Sequence, residues 1–447
     1  MAKRNTATAS TPSARRLAPL AAAAVGLAAL APAALGQATN RTIFVGHYYP
    51  QGSIASLNVN PDGAVSLAHL TPVGEWIQSI ALSPDGQWLA AASGTANELL
   101  EAIYIFRVLP DAGLSLVYTG VVPDSPLDMK WLANDLLAVT ETDLSASHIG
   151  VFLWQPEVPA LTRMDRKPSG GFNSAIAYHP GSEYFYTQIS TGVGGPSLNR
   201  WRINPDRTIS AAGDFFPGPY PLSPVFTAAG DMLFAGGGIS FGRNAVISYL
   251  VDEEEGGLIP APGMPFISPG NSPAYLAPTG DGLILAVGHG SDSTVRTFTI
   301  EPNGVLTATG HSFLVQNLTG SIGELAALND VIYVTDDTSA IDGVQGIHAL
   351  RVGADGSLTP LAEIVYTGAP RPEGGIAVWN PTTVCPADFN GDSQVNSNDI
   401  SAFLSRWLAD VESGSRYADF DRDAAVTSND ISAFLSAWLA AVAQGCG

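Results

Sequence analysis

The sequence predicts an all-β seven-bladed propeller, followed by a small all-α module with two EF-hand-type calcium loops. Two observations predict this division. From 41 to 381 the chain consists of short β-type runs separated by Gly, Pro, Asn and Asp, and a four-run pattern recurs about every 47 residues. From 385 to 446 an acidic twelve-residue loop occurs twice, and each copy leads into a run with helical apolar spacing.

The amino-terminal segment has the composition of a secretory signal peptide. Basic residues precede an Ala- and Leu-rich run from Leu17 to Leu35, and small residues follow at a cleavage point after Gly36. A membrane anchor is the alternative, but Pro19 and Pro32 interrupt the run. We therefore expect residues 1–36 to be removed, leaving an exported protein, secreted or associated with the cell surface, that has no membrane span.

The charge balance excludes one large class of partner. The 447-residue chain has a net charge of −21, and removal of residues 1–36, which hold four basic and no acidic residues, lowers it to −25. A surface of this sign repels nucleic acid and anionic membranes. We expect no nucleic-acid partner.

The middle region contains repeated turn signals between apolar runs. They are Pro61-Asp62-Gly63, Pro84-Asp85-Gly86, Pro205-Asp206-Arg207, Gly280-Asp281-Gly282, Pro302-Asn303-Gly304 and Ala354-Asp355-Gly356. Six four-strand blocks are predicted, beginning near Ser79, Leu127, Phe172, Pro224, Ala274 and Ile322. The first block, from Thr42 to Pro72, has only three strands. Gly375–Trp379 supplies the fourth, so the two ends of the region are expected to close the ring as a seventh blade.

This region resembles the seven-bladed lactonase propellers, a group that includes 6-phosphogluconolactonase-like proteins. The resemblance rests on Ile43–Tyr48, Ser83–Gly86 and Tyr178–Gly181. Members of that family carry an Arg and a His just before the last of these motifs and a Glu shortly after it. Here those positions fall in Gly170–Ser174 and at Gln188, which removes the cation and the acid–base group that lactone opening needs.

The resemblance therefore implies the fold, and we predict a propeller without catalytic residues. The alternative is a secreted lactonase-type hydrolase that uses other polar groups at the propeller channel. The seven histidines show no zinc-binding spacing, which favours structural roles for them. Asp336, Asp337 and Asp342 have two interpretations, as a calcium site or as caps of a blade turn.

The two acidic loops supply oxygen atoms at the positions through which such loops bind calcium, 1, 3, 5, 7, 9 and 12. In the first loop these are Asp388, Asn390, Asp392, Gln394, Asn396 and Asp399. In the second they are Asp419, Asp421, Asp423, Ala425, Thr427 and Asp430, where Ala425 serves because position 7 binds through its backbone carbonyl. Two Ca²⁺ sites are predicted. Ser393 and Ala424 occupy the usual glycine position, at a conformational cost of about 1–2 kcal/mol each.

Each loop precedes a predicted helix with one apolar stripe. The stripes are Ile400, Phe403, Leu404, Trp407 and Leu408, and then Ile431, Phe434, Leu435, Trp438 and Leu439, and we expect them to pack against each other. A duplicated loop-then-helix unit of this kind resembles the dockerin domain, in the variety that ends in a Gly-Cys pair.

The resemblance implies a cohesin-type protein partner. In dockerins the recognition residues lie at the start of each helix, which here are Ser397, Asn398, Ser428 and Asn429. Recent duplication alone is the other explanation for the identity of the two pairs. The only two cysteines, Cys385 and Cys446, bracket the module, and an exported protein can join them in a disulfide.

Overall fold

The computed structural model describes one ring of β-sheets and two helices. The described residues are 41–48, 52–74, 76–94, 101–142, 147–179, 182–190, 197–215, 221–237, 244–252, 255–315, 322–337, 345–380, 387, 389, 395–413, 418, 420 and 426–444. The predicted signal peptide, both cysteines and positions 1 and 3 to 7 of each calcium loop lie outside them.

Seven antiparallel sheets occur in the described part of the chain, and each is one blade. Blade 1 contains β1 (Thr42–His47), β2 (Ser53–Val59), β3 (Val65–Pro72) and β29 (Ile376–Trp379); blade 2 contains β4 (Ile77–Leu82), β5 (Trp88–Ser93), β6 (Ala102–Val108) and β7 (Leu114–Val121). Blade 3 contains β8 (Ser125–Ala133), β9 (Leu136–Thr142), β10 (Ser147–Gln155) and β11 (Ala160–Pro168); blade 4 contains β12 (Phe172–Tyr178), β13 (Tyr184–Ser190), β14 (Ser197–Ile203) and β15 (Ile209–Phe215).

The remaining three blades complete the ring. Blade 5 contains β16 (Pro221–Phe226), β17 (Met232–Gly237), β18 (Ala245–Val251), β19 (Leu258–Pro260) and β20 (Phe266–Ile267). Blade 6 contains β21 (Pro273–Pro278), β22 (Ile284–His289), β23 (Thr294–Ile300) and β24 (Leu306–Leu314); blade 7 contains β25 (Ile322–Leu328), β26 (Val331–Asp336), β27 (Gly346–Val352) and β28 (Leu358–Pro360). The observed inner strands begin within three residues of the six predicted block starts.

Blade 1 closes the ring as predicted. Its strand order is β29-β1-β2-β3, so the last strand of the propeller is the innermost strand beside the first. The register pairs Thr42 with Trp379 and Val45 with Ile376. Beyond the paired strands, the Gly46 amide donates to the Gly375 carbonyl at 2.9 Å. Strands β1 and β29, which lie more than 300 residues apart in the sequence, therefore pair in one sheet. This pairing leaves no open sheet edge at the point where the ring closes.

The six predicted turns share one local geometry. The third residue of each has a positive φ, between 67° and 82°, and this residue is a glycine in every turn except at Arg207. The Asp or Asn before it accepts a hydrogen bond from the backbone amide two residues further on, as Asp62 does from Ala64 at 3.1 Å. This Asx geometry allows short hairpins. All six turns lie at the same end of the propeller, which we call the lower face.

Blade 5 departs from the predicted four strands. Its third strand, β18, pairs with β19 near one end and with the short β20 near the other. The chain from the end of β19 to the start of β20 contains Pro260, Pro262 and Pro265, which have no amide proton to donate to a sheet ladder. The outer strand is therefore divided into two pieces.

Two helices follow the propeller, α1 (Ser397–Ser413) and α2 (Ser428–Gln444). Neither they nor any other helix among the described residues has the length and apolar character that a bilayer span requires. The prediction that both complete apolar stripes are buried is wrong. Phe403 and Phe434 are fully buried, but Leu404, Leu408 and Leu439 are 37%, 57% and 61% exposed. Two helices cover only one narrow face of each other, so the flanking leucines stay in contact with solvent.

Candidate functional site

The start of each helix holds the part of the calcium loops that the structure describes. These residues are Asn396, Asp399, Thr427 and Asp430; the other eight predicted ligand positions lie outside the described residues. Among the described side chains no group of three acidic, His or Cys residues is close enough to hold a metal ion. The predicted two-site calcium assignment therefore stays a prediction.

Both helix starts have the same capping geometry. The Asp399 carboxylate accepts a hydrogen bond from the Asn396 amide at 2.8 Å, and the Asn396 side-chain oxygen accepts one from the Asn398 amide at 2.7 Å. In the second copy Asp430 accepts from the Thr427 amide at 2.7 Å, and Thr427 Oγ1 accepts from the Asn429 amide at 3.1 Å. The carboxylates at position 12 of the two loops, Asp399 and Asp430, are fully buried. These hydrogen bonds fix their orientation where each loop meets its helix. Its oxygen chemistry fits a hard cation such as calcium.

The core of the module has approximate twofold symmetry. The Phe403 and Phe434 rings stack with centroids 4.3 Å apart and an interplanar angle of 8°, and Phe389 and Phe420 meet both rings edge-on. The indole of Trp407 donates to the Thr427 carbonyl at 2.7 Å. In the other copy the Trp438 indole donates to the Asn396 carbonyl at 2.9 Å. Each helix therefore fixes the loop of the other copy.

The predicted partner-binding residues are on the surface. Ser397, Asn398, Ser428 and Asn429 are all exposed in the first turns of their helices. Exposed apolar residues continue the same helices, namely Leu404, Leu408 and Val411 on α1 and Leu439 and Val442 on α2. Each copy thus presents a polar pair followed by apolar side chains that the fold leaves in solvent.

One contact breaks the symmetry of the two copies. Arg406 of α1 forms an ion pair with Asp231, in the turn between β16 and β17, at 3.1 Å, and a second with Asp410 at 3.1 Å. Thirty-one residues later, Ala437 and Ala441 occupy the equivalent positions. Of the two helices, only α1 therefore has an arginine at this position that forms an ion pair with the lower face of the propeller.

The position of the lactonase acid–base residues contains neutral groups. Asn173 and Gln188 are both buried, and Ser174 Oγ donates to Gln188 Oε1 at 3.0 Å. Neither amide atom of the Asn173 side chain has a hydrogen-bond partner in the described structure. Amide and hydroxyl groups do not titrate near neutral pH, so this place provides no general acid or base.

Charged groups instead gather elsewhere on the upper face, the end of the propeller opposite the six turns. Arg371 forms ion pairs with Glu373 and, at 3.5 Å, with Asp337, and its guanidinium lies 5.0 Å above the ring of Tyr48. The Tyr48 ring is 5.3 Å from that of Trp76. We call these five residues the mouth cluster. Tyr48 and Asp337 follow β1 and β26, Trp76 precedes β4, and Arg371 and Glu373 precede β29. The ring closure brings these residues together.

The two carboxyl groups of the mouth cluster interact directly. Burial, followed by a hydrogen bond that protonated Glu373 donates to Asp337 and by the charge of Asp337, raises the pKa of Glu373 to about 7. Further into the channel, burial raises the pKa of Glu324 to about 7 and that of Tyr275 to about 12. The channel wall beside the mouth cluster therefore holds groups that remain uncharged more readily than in water.

The mouth cluster was not predicted from the sequence. Of its five residues only Asp337 was a predicted site residue, as a calcium ligand or a turn cap, and the structure pairs that carboxylate with Arg371. The neighbouring Asp336 lies 3.3 Å from His348 Nε2. Arg371-Pro372-Glu373 was a usable signal, because charges are rare in the Gly- and Pro-rich segment before the closing strand.

A second charged network fastens the outer strand of blade 3. Glu141 of β9 is fully buried and accepts hydrogen bonds from Arg163 and Arg166 of β11, each at 2.6 Å. It reaches across β10 because Gly150 has no side chain; a Cβ there would lie 2.8 Å from Glu141 Oε1. The carboxylate therefore connects two strands that are not neighbours in the sheet.

Removing both arginines is expected to destabilise the propeller strongly. The double variant Arg163→Ala/Arg166→Ala leaves a buried carboxylate without its cations, and we expect the free energy of unfolding to fall by about 3–5 kcal/mol in urea titration. Arg202→Ala is the matched control, because its pair with Glu183 is 52% and 65% exposed. It is expected to cost less than about 1 kcal/mol. Equal losses in the two variants would contradict the assigned role of Glu141.

Two of the histidines have structural roles. His47 and His289 are buried, and burial lowers the pKa of each to about 4. His47 Nε2 bonds to Thr367 Oγ1 at 2.8 Å, and His289 Nε2 bonds to Ser268 Oγ at 2.6 Å. Both are neutral at physiological pH and stabilise the loops of the upper face.

Comparison with known proteins supports the two-part organisation. Residues 386–434 match the dockerin type I domain family. A search of curated proteins found no match to this chain. Among solved structures, a putative 6-phosphogluconolactonase from Bacteroides fragilis has 16% identity and a TM-score of 0.61, over 77% of this chain and 98% of that one. The periplasmic gluconolactonase of Pseudomonas aeruginosa has 17% identity and a TM-score of 0.60, over 76% and 98%.

At such identities the likeness to the gluconolactonases is one of fold. The chain therefore combines a seven-bladed propeller of the 6-phosphogluconolactonase-like fold with a carboxy-terminal module that matches the dockerin type I domain family.

Proposed function

We propose that the chain is an exported, non-catalytic β-propeller that a calcium-dependent dockerin module attaches to a cohesin-type partner. The observation that carries the proposal is the surface of the two helices. In both copies an exposed Ser-Asn pair is followed by exposed apolar residues, among them Leu408 and Leu439. Apolar side chains bordered by polar groups are typical of protein interfaces.

The predicted signal peptide, residues 1–36, would export the chain, and the dockerin match agrees with a site of action outside the cell. Calcium, when bound, would neutralise the acidic loops and order them against the helices. The first loop would hold it through Asp388, Asn390, Asp392, Gln394, Asn396 and Asp399, and the second through Asp419, Asp421, Asp423, Ala425, Thr427 and Asp430. A disulfide between Cys385 and Cys446 would join the ends of the module.

The two Ser-Asn pairs give a direct test. If either helix face can dock the partner, removing one face eliminates half of the binding modes. Replacing Ser397 and Asn398 by arginine is therefore expected to raise the Kd for a cohesin module only about twofold, which corresponds to about 0.4 kcal/mol. Replacing Ser428 and Asn429 as well is expected to abolish binding. Titration calorimetry of the full chain with cohesin modules, with calcium and with a chelator, measures both effects.

Calcium uptake by the variants is the control, because positions 10 and 11 of the loops contribute no ligand. The quadruple variant is expected to bind calcium like the native chain, and chelation is expected to abolish partner binding by the native chain. Complete loss of binding in the first pair variant would contradict the two-face arrangement. Absence of binding to every cohesin module in the presence of calcium would contradict the function itself.

A further inference from the structure

The mouth cluster has a backbone conformation and a chain of hydrogen bonds that a propeller fold does not require. Arg371 adopts a φ of 55°, a left-handed conformation that non-glycine residues rarely take. Its backbone amide donates to Gln345 Oε1, and the Gln345 side chain donates in turn to the Asp337 carbonyl at 3.1 Å. A partly buried set of charges is seldom more stable than apolar packing of the same volume. Such an arrangement at the opening of a channel is typical of a ligand site.

We propose that the upper mouth of the propeller binds a neutral saccharide through Trp76, Tyr48, Arg371, Asp337 and Glu373. This site is separate from the dockerin module, and it also lies apart from Asn173 and Gln188, the lactonase positions. It adds a ligand class to the propeller, for which the proposed attachment function assigns none.

The charge of the cluster selects an uncharged ligand. The guanidinium of Arg371 forms ion pairs with both Glu373 and Asp337, so the charges of the cluster are already paired within it. A phosphate or carboxylate ligand would approach Asp337 and Glu373 against repulsion, and an amine would be repelled by Arg371. An uncharged ligand leaves these pairs intact.

The polar groups and rings of the cluster match the two surfaces of a sugar. Sugar hydroxyls donate and accept hydrogen bonds, and carboxyl oxygens beside a guanidinium offer partners for both roles. The C–H face of a pyranose is apolar and packs against aromatic rings. Tyr48 and the half-buried Trp76, inclined to each other by 48°, form an aromatic corner beside the charged groups.

The same geometry indicates binding without cleavage. Hydrolysis of a glycosidic bond uses two carboxyl groups about 5–5.5 Å apart in retaining enzymes and about 6.5–9.5 Å apart in inverting ones. Glu373 and Asp337 are in direct hydrogen-bond contact, which leaves no space for a sugar carbon or a water molecule between them.

Saturation-transfer NMR and titration calorimetry of the full chain test the site. The probes are glucose, galactose, mannose and xylose, their methyl glycosides and linear oligosaccharides, with glucose 6-phosphate as the charged comparison. At least one neutral probe is expected to bind and the phosphate is not. Binding of free sugars alone would identify a soluble ligand, and binding of glycosides and oligosaccharides would identify the end of a polymer. Absence of binding by every neutral probe at millimolar concentration would overturn the proposal.

Two single-residue variants show where the ligand binds. Trp76→Ala is expected to weaken binding at least tenfold. Arg107→Ala is the control, because Arg107 lines a cavity of about 620 Å³ on the lower face, beside Trp379, that is large enough for a sugar. It is expected to change the affinity less than twofold. Loss of binding in Arg107→Ala but not in Trp76→Ala would move the ligand to the lower cavity and refute the mouth site.

The pH profile tests the role of the Glu373 proton. Glu373 faces Asp337, Arg371 and Tyr275, and with a pKa of about 7 it loses its proton as the pH rises from about 5.5 to about 8.5. Native affinity is expected to fall across this interval, because the cluster gains a negative charge and loses a donor. Glu373→Gln keeps a donor that does not titrate, so at high pH it is expected to bind more tightly than the native chain, with a flat profile. A native profile that is already flat would contradict the role of the carboxyl pair.

Discussion

A chain that ends after Gly374 is expected to lose the folded propeller, whereas one that ends after Asn380 is expected to retain it. The six residues between these points include β29, which pairs with β1 and places Ile376 and Val378 against the core shared with blade 7. Loss of these half-buried side chains and of the ladder hydrogen bonds corresponds to about 5 kcal/mol. That is comparable to the entire stability of a typical domain.

The two truncations form a matched pair, because both remove the dockerin module and only one removes the closing strand. Thermal unfolding followed by near-ultraviolet circular dichroism measures the difference. The chain ending after Asn380 is expected to unfold in one cooperative transition, at a melting temperature close to that of the full chain. The shorter chain, which exposes β1 as an open edge, is expected to aggregate or to show no cooperative transition. Equal melting of the two would show that β29 is dispensable.

Phe403→Ala is expected to unfold the dockerin module. Phe403 is fully buried, stacks on Phe434 at 4.3 Å and meets Phe389 and Phe420 edge-on. Truncation of a buried phenylalanine costs about 3–5 kcal/mol, and a unit of about 60 residues has little more stability than that. Hydrogen exchange read by mass spectrometry is expected to show loss of protection throughout α1 and α2, while the propeller strands remain protected.

Leu404→Ala is the control one residue away. Leu404 is 37% exposed, so its truncation is expected to change stability by no more than about 0.5 kcal/mol and to leave α1 protected. In the proposed attachment function it is also expected to weaken partner binding. If Phe403→Ala and Leu404→Ala gave the same exchange pattern, the four-phenylalanine core would not be what holds the module together.

The number of blades and their closure followed from the sequence because both depend on local signals that repeat. Each Asx turn needs a residue that tolerates positive φ, and the three-strand block at Thr42–Pro72 had a matching fourth strand at 375–379. These features are properties of short segments. Their repetition is sufficient to define the ring.

The surface of the helices and the upper face were less accessible to prediction. A spacing of i, i+3 and i+4 places Phe403 and Leu404 on one apolar stripe, but only packing decides which of them reaches the partner helix. Tyr48, Asp337 and Arg371 belong to loops that lie far apart in the sequence and have no periodicity. Likewise, the reach of Glu141 across β10 depends on the missing side chain of Gly150, which no charge pattern reveals.

The position of β29 also determines where a pulling load first acts on the propeller. It is the strand that completes the ring, and it is the last strand before the module that would be attached to a partner. A pulling force applied through α1 and α2 enters the propeller at the Trp379 end of β29. Because Trp379 pairs with Thr42 at that end, the load opens the four residue pairs between β29 and β1 one after another, as in a zipper. The tension that the attached propeller withstands is therefore set by its shortest closure, whatever the strength of the other six blades.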